Sequence, residues 1–130
     1  MTSPFPKKID LEFANVELHE NFIISTINEG VLFDHAEKRV MFELFDTYYS
    51  DNAFVYIGIR KNDYTINPVC YINSYDPARL RGVAIVSNAV RSIEISSYEK
   101  QFFEGPFQIF STLEEAKEWA QHMKQKQHAR

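Results

Sequence analysis

The sequence predicts a single α/β domain built on a mixed five-stranded sheet: an antiparallel N-terminal hairpin, then parallel strands with crossover helices. Three observations carry this. Residues 53–59 (Ala-Phe-Val-Tyr-Ile-Gly-Ile) and 82–87 (Gly-Val-Ala-Ile-Val-Ser) are short apolar runs, and 106–110 (Pro-Phe-Gln-Ile-Phe) is a shorter third one. Such runs are too short for ordinary helices and read as strands buried on both faces. The segments between them repeat apolar residues at helical spacing, and buried strands alternating with helices need right-handed crossovers that leave the strands parallel. The N-terminal segment alternates apolar and polar residues on either side of a short polar turn, the pattern of a hairpin.

Taken in order, residues 9–18 place Ile9, Leu11 and Phe13 on one face, then Val16 and Leu18 on the other. The change of face near Ala14-Asn15 predicts a bulge or bend in a half-buried strand. After His19-Glu20-Asn21, residues 22–27 (Phe-Ile-Ile-Ser-Thr-Ile) form the second strand. A loop then ends on Asp34, whose carboxylate can accept from a first-turn amide and suits the helix dipole. Ala36, Val40, Met41, Leu44, Phe45 and Tyr48 follow at helical spacing, a helix of about four turns that stops before Ser50-Asp51-Asn52. Residues 88–103 show a looser helical pattern, ended by Glu104-Gly105-Pro106. Thr112-Leu-Glu-Glu115 is a capping box opening a last helix, with Leu113, Ala116, Trp119, Ala120 and Met123 on one face. Residues 1–8 and the tail 124–130, which has no apolar face, are expected to fray. Residues 60–81 have no clear periodicity. Asn67-Pro68 can start a short helix to about residue 74, and a long aperiodic segment in a small domain points to a functional loop.

Composition narrows the function. The chain has 130 residues, 45% hydrophobic and 25% charged, which excludes disorder and low complexity and matches one domain. No apolar stretch approaches the ~18 residues of a membrane span, and the first residues lack the pattern of a secretory signal. With one cysteine, Cys70, an internal disulfide is impossible, and the expected compartment is the cytoplasm. A net charge of −4 argues against a nucleic-acid partner. Aromatic residues reach 15%, enough for a full core, a homodimer contact or a ligand pocket.

Three local sequences carry a resemblance. Residues 82–87, the pair Phe102-Phe103, and residues 106–119 (Pro-Phe-Gln-Ile-Phe-Ser-Thr-Leu-Glu-Glu-Ala-Lys-Glu-Trp) are similar to the C-terminal half of SpoIIAA-like proteins. These are small bacterial domains of the STAS/SEC14 type, related to anti-sigma-factor antagonists. Element order extends the resemblance over about residues 9–123; its specific part is 82–119. It implies a mixed sheet with helices packed on it and a non-enzymatic role in protein interaction or in binding a small apolar ligand. The family's phosphorylation switches resemble one another in an Asp-Ser-Ser/Thr-Gly turn after the central strand. Residues 60–67 (Arg-Lys-Asn-Asp-Tyr-Thr-Ile-Asn) have no such turn, and Thr65 is the one Ser/Thr hydroxyl there. A phosphate on Thr65 would lie near a possible helix start, a favourable place for an anion.

The residues themselves name no catalytic group, cofactor or metal set. His19, His35, His122 and His128 are not spaced as ligands with one another or with Cys70. Cys70 has no adjacent base, there is no Gly-rich phosphate loop, and Asp76 to Arg81 reads as a charged turn. Candidate partner-binding residues are Arg60, Lys61, Tyr64, Thr65, Tyr71 and Asn88, which should gather outside the C-terminal ends of the parallel strands, where open α/β sheets bind ligands. Two functions follow: a protein-docking regulatory module using the 60–76 loop, or a carrier or sensor of a small apolar or lipid-like ligand, with Phe33, Phe42, Phe45 and Tyr71 around a pocket.

Overall fold

A computed structural model describes residues 3–71, 76 and 78–128, with side chains except those of Tyr71 and 124–128. The sheet has six strands, not five. Strands β1 (Lys7–Asp10) and β2 (Ala14–Leu18) are antiparallel, with Ile9 opposite Val16 and Asp10 opposite Asn15. The change of face expected as a bulge is a full reversal of the chain: the Leu11 amide donates to the Ala14 carbonyl at 2.8 Å, closing the turn over Glu12 and Phe13. That turn lacks Gly, Asn or Asp, so the usual hairpin signal is missing.

Strand β3 (Phe22–Ile27) pairs antiparallel with β2 and parallel with β5 (Phe54–Ile59), as the hairpin and crossover patterns predict. Strands β7 (Leu80–Val86) and β8 (Phe107–Phe110) continue the parallel part, giving the order β1-β2-β3-β5-β7-β8. Two short strands, β4 (Leu32–Phe33) and β6 (Thr65–Ile66), form a separate parallel pair that the sequence pattern does not announce. The segment expected to hold a short helix contains a 3-10 turn, Pro68–Tyr71; residues 72–74 lie outside the described residues. Asn67 caps it, accepting from the Val69 amide at 3.1 Å.

Helix α1 (His35–Tyr48) begins at Asp34 in a capping box, with Glu37 reaching back to the Asp34 amide at 2.9 Å. Helix α2 (Val90–Glu99) starts at Ala89 without a side-chain cap, and a 3-10 turn, Lys100–Phe102, follows it. Helix α3 (Leu113–His128) opens on the predicted box, Glu115 amide to Thr112 Oγ1 at 3.2 Å and Thr112 amide to Glu115 Oε1 at 3.3 Å. Its backbone runs to His128, beyond Met123, the last residue of the apolar stripe. No described helix is long and apolar enough to cross a membrane.

The strand order advances one way from β3 to β8, so right-handed crossovers place the α1, β6 and α2 connections on one face. Residues on that face, Ile23, Phe54, Val83, Ile85 and Phe107, pack with Met41 and Phe45 of α1. Alternate residues, Phe22, Ile24, Val55, Ile57, Ala84 and Val86, pack on Ala116 and Ala120 of α3. Gly82 is required where Trp119 lies against the sheet: a Cβ there would come 2.8 Å from Trp119 Cη2. The first face, covered by three connections of different kinds, holds the candidate site.

Candidate functional site

The period of β5 decides the fate of Arg60. Tyr56 and Gly58 point to the α1 face, and Arg60 continues that alternation one residue past the strand. Its amide donates to the Val86 carbonyl at 3.0 Å, so the backbone is held against β7, and the side chain goes inward. The guanidinium forms a two-point ion pair with Glu99 at the end of α2: Nη2 to Oε1 at 3.0 Å and Nη1 to Oε2 at 3.2 Å. Nη1 also donates to Ser96 Oγ at 3.1 Å and Nε to the Tyr64 hydroxyl at 3.0 Å, with the guanidinium 4.7 Å from the Tyr64 ring. The paired side chains are only 5% and 4% exposed. Arg60 is therefore not the exposed, partner-seeking guanidinium that its place after the central strand suggests; it ties α2 to the sheet.

Burial raises the Glu99 carboxyl above its ordinary range, with Arg60 opposing the shift. For Arg60, burial works against the charge, but Tyr64 and Glu99 outweigh it and hold the guanidinium protonated. Burial likewise pushes up the phenols of Tyr56 and Tyr64. Beside them on β3, Ser25 is buried and its hydroxyl has no hydrogen-bond partner among the described residues. The Tyr56 hydroxyl lies near enough to Ser25 to be affected by it, but the two do not meet in hydrogen-bond geometry. An unpartnered buried hydroxyl costs about 1–3 kcal/mol.

Of these residues, Tyr56 and Tyr64 also line a cavity of about 80 Å³, several times the ~10–15 Å³ one water needs. Met41, Phe42 and Phe45 of α1 form one wall. Tyr56, Gly58, Val83 and Ile85 form the sheet floor. Phe33, Tyr64, Ile66 and Cys70, brought over by the β4–β6 pair and the turn after it, supply a third side. The lining is almost wholly apolar, and it includes Phe33, Phe42 and Phe45, three of the four aromatic residues that the sequence offers for a pocket, Tyr71 being the fourth.

Of the other candidate residues, Lys61, Thr65 and Asn88 are exposed. Asn88 follows β7 at the same end of the sheet as Arg60, as expected. Thr65 is in β6, where its amide donates to the Val31 carbonyl at 2.9 Å. A strand residue ahead of a four-residue 3-10 turn lacks the helix N-terminus that would favour a phosphate. The side chain of Tyr71 lies outside the described residues.

Ser25, Tyr56, Ser96 and Glu99 escape the sequence reading. The alternation Tyr56, Gly58, Arg60 is the one usable signal, because an arginine in phase with a buried strand face needs a buried acid. Sequence spacing also misses a convergence at the start of α1. Ligand-type atoms of Asp34, His35 and Cys70 lie within 4.8 Å of one another. Asp34 Oδ1 already accepts from Asn67 Nδ2 and the His35 amide, both at 2.9 Å, and faces Cys70 Sγ at 3.9 Å. The Asn67 bond, then the His35 amide, holds the Asp34 carboxyl below its ordinary value. A cation would have to displace these donors at the positive end of a helix, so the group acts as a helix cap.

No family model and no curated relative matches the chain. Among solved structures, it is similar to an uncharacterized protein of the DUF3478 family from Shewanella loihica PV-4, described as having a SpoIIAA-like fold. The two share 12% identity over 92% of this chain and 98% of the other, with a TM-score of 0.55. The chain has a SpoIIAA-like fold.

Proposed function

We propose that this protein is a non-enzymatic carrier or sensor of a small apolar ligand, held between α1, the sheet and the β4–β6 pair. The cavity carries this reading. A well-packed core leaves few voids larger than a water molecule, yet here an apolar space persists where three connections meet on one sheet face. Its size suits a compact molecule rather than a whole lipid chain. Cys70, the one thiol at its edge, is pushed up in pKa by burial first and by nearby Asp34, which suits packing rather than attack. A free thiol also fits a reducing compartment, in keeping with a cytoplasmic location.

A docking role for the 60–76 loop rests on less, since Arg60 is committed to Glu99 inside the domain. The test is the mass of the protein purified from its own cells, native and then denatured. A small increment lost on denaturation supports the reading. A bare chain in both states, with no small apolar compound retained on incubation, overturns it and moves the search to protein partners.

A further inference from the structure

We propose, resting on the apolar-ligand reading, that the ligand is a compact apolar carboxylic acid, its carboxylate held by Lys38 while its body fills the cavity. Among the described residues that line the cavity, Lys38 is the one with a charged side chain; the others are aliphatic and aromatic residues, Gly58 and the thiol of Cys70. Lys38 is half-buried, so its stem covers apolar surface while the ammonium keeps contact with water. A methionine or leucine at this position would complete the apolar wall without bringing a charge to it.

The geometry couples this charge to the apolar space. Lys38 and Phe42 stand one turn apart on α1, and the ammonium lies 5.8 Å from the Phe42 ring centre. Phe42 is itself part of the cavity wall. A carboxylate oxygen about 2.7–2.9 Å from the ammonium would leave the carbon that bears it beside the Phe42 ring. The buried Met41, Phe45 and Ile85 then receive the rest of the molecule.

Three charged groups set the field at this wall. Burial is the first cause of the raised Cys70 thiol; among the charges that act on it, Lys38 is the strongest and favours the anion, ahead of the opposing Asp34 and Glu37. Those two carboxylates do not line the cavity, and both are engaged in capping α1. Glu37 Oε1 accepts from the Asp34 amide at 2.9 Å, and Asp34 Oδ1 accepts from the His35 amide and Asn67 Nδ2, both at 2.9 Å. One ammonium balances one carboxylate, whereas a phosphate monoester would bring a second charge that no described lining residue matches.

The experiment titrates phenylacetate, its uncharged analogue phenylacetamide, and ethylbenzene calorimetrically against the wild type, Lys38→Met and Lys38→Arg, at neutral pH in low and high salt. The wild type should bind the acid about threefold to tenfold more tightly than the amide, the range of a charge-assisted contact at a half-exposed lysine. That preference should vanish in Lys38→Met, persist in Lys38→Arg and shrink in high salt. Equal binding of acid and amide by the wild type, or an acid preference that survives in Lys38→Met, overturns the carboxylate, and ethylbenzene binding then leaves the cavity reading standing. The salt series reads the same contact without any substitution, and a preference that salt leaves unchanged overturns it too. Failure of all three compounds to bind the wild type overturns the cavity reading and the carboxylate with it.

Discussion

Replacing Glu99 with alanine strips the buried Arg60 guanidinium of its counter-charge. Two hydrogen bonds, at 3.0 and 3.2 Å, are lost from a side chain that is 5% exposed. Breaking a buried pair by removing one partner costs about 3–5 kcal/mol. Ser96 and Tyr64 keep their bonds to Arg60, and the shortened side chain lets water approach, so the lower end applies. A loss of about 3 kcal/mol, at about 4 °C per kcal/mol for a domain of this size, lowers Tm by roughly 12 °C. The assay is urea denaturation with thermal melting, run beside the double variant Arg60→Met/Glu99→Leu. Replacing both charges with apolar groups of similar volume should bring stability back to within about 1 kcal/mol of the wild type or above it. A loss below about 1 kcal/mol for Glu99→Ala, the range of an exposed pair, would refute the burial argument. So would a double variant as unstable as the single one, which would show that the pair is favourable in its own right.

Other consequences are open to simpler assays. Gly82→Ala forces a methyl against Trp119 Cη2 at 2.8 Å and the Pro106 carbonyl at 3.3 Å, and should cost about 1–3 kcal/mol by calorimetry; an unchanged Tm would mean that Trp119 moves freely. The phenols of Tyr49, Tyr56 and Tyr64 are all raised, chiefly by burial, above the ordinary value of 10.0. Below pH 10 their contribution is fully present; above it the unfolded chain loses these protons first, so stability falls as pH rises. Denaturation followed by tyrosinate absorbance checks this, and a flat profile above pH 10 contradicts it. Cys70, with its thiol pushed up and its side chain buried, should react with a thiol reagent far more slowly in the folded than in the urea-unfolded protein; equal rates would place it at the surface.

The fold is legible where one local signal suffices. Continuous apolar runs give β5 and β7, and the N-cap Asp34 and the capping box at Thr112 give the starts of α1 and α3, because these depend on neighbouring residues alone. The turn over Glu12 and Phe13 is not legible, since neither residue carries a turn preference and the reversal is enforced by pairing Ile9 with Val16. The β4–β6 pair is too short to leave a pattern, being two residues on each side. For the site, the position of Arg60 at a strand end is readable but its direction depends on Glu99, which is 39 residues away on another element. The aromatic residues of the pocket are readable as a surplus, whereas the cavity they leave depends on three connections meeting over one face.

The most direct test of the cavity as the functional site is an intermolecular nuclear Overhauser experiment with ethylbenzene bound to the protein. Contacts from the ligand to Met41 of α1, Ile85 of β7 and Phe103 after the 3-10 turn that follows α2, which line the cavity from three parts of the chain, are the predicted result. Contacts confined to the exposed Val90 and Tyr98 of α2, with none to those three, would contradict it.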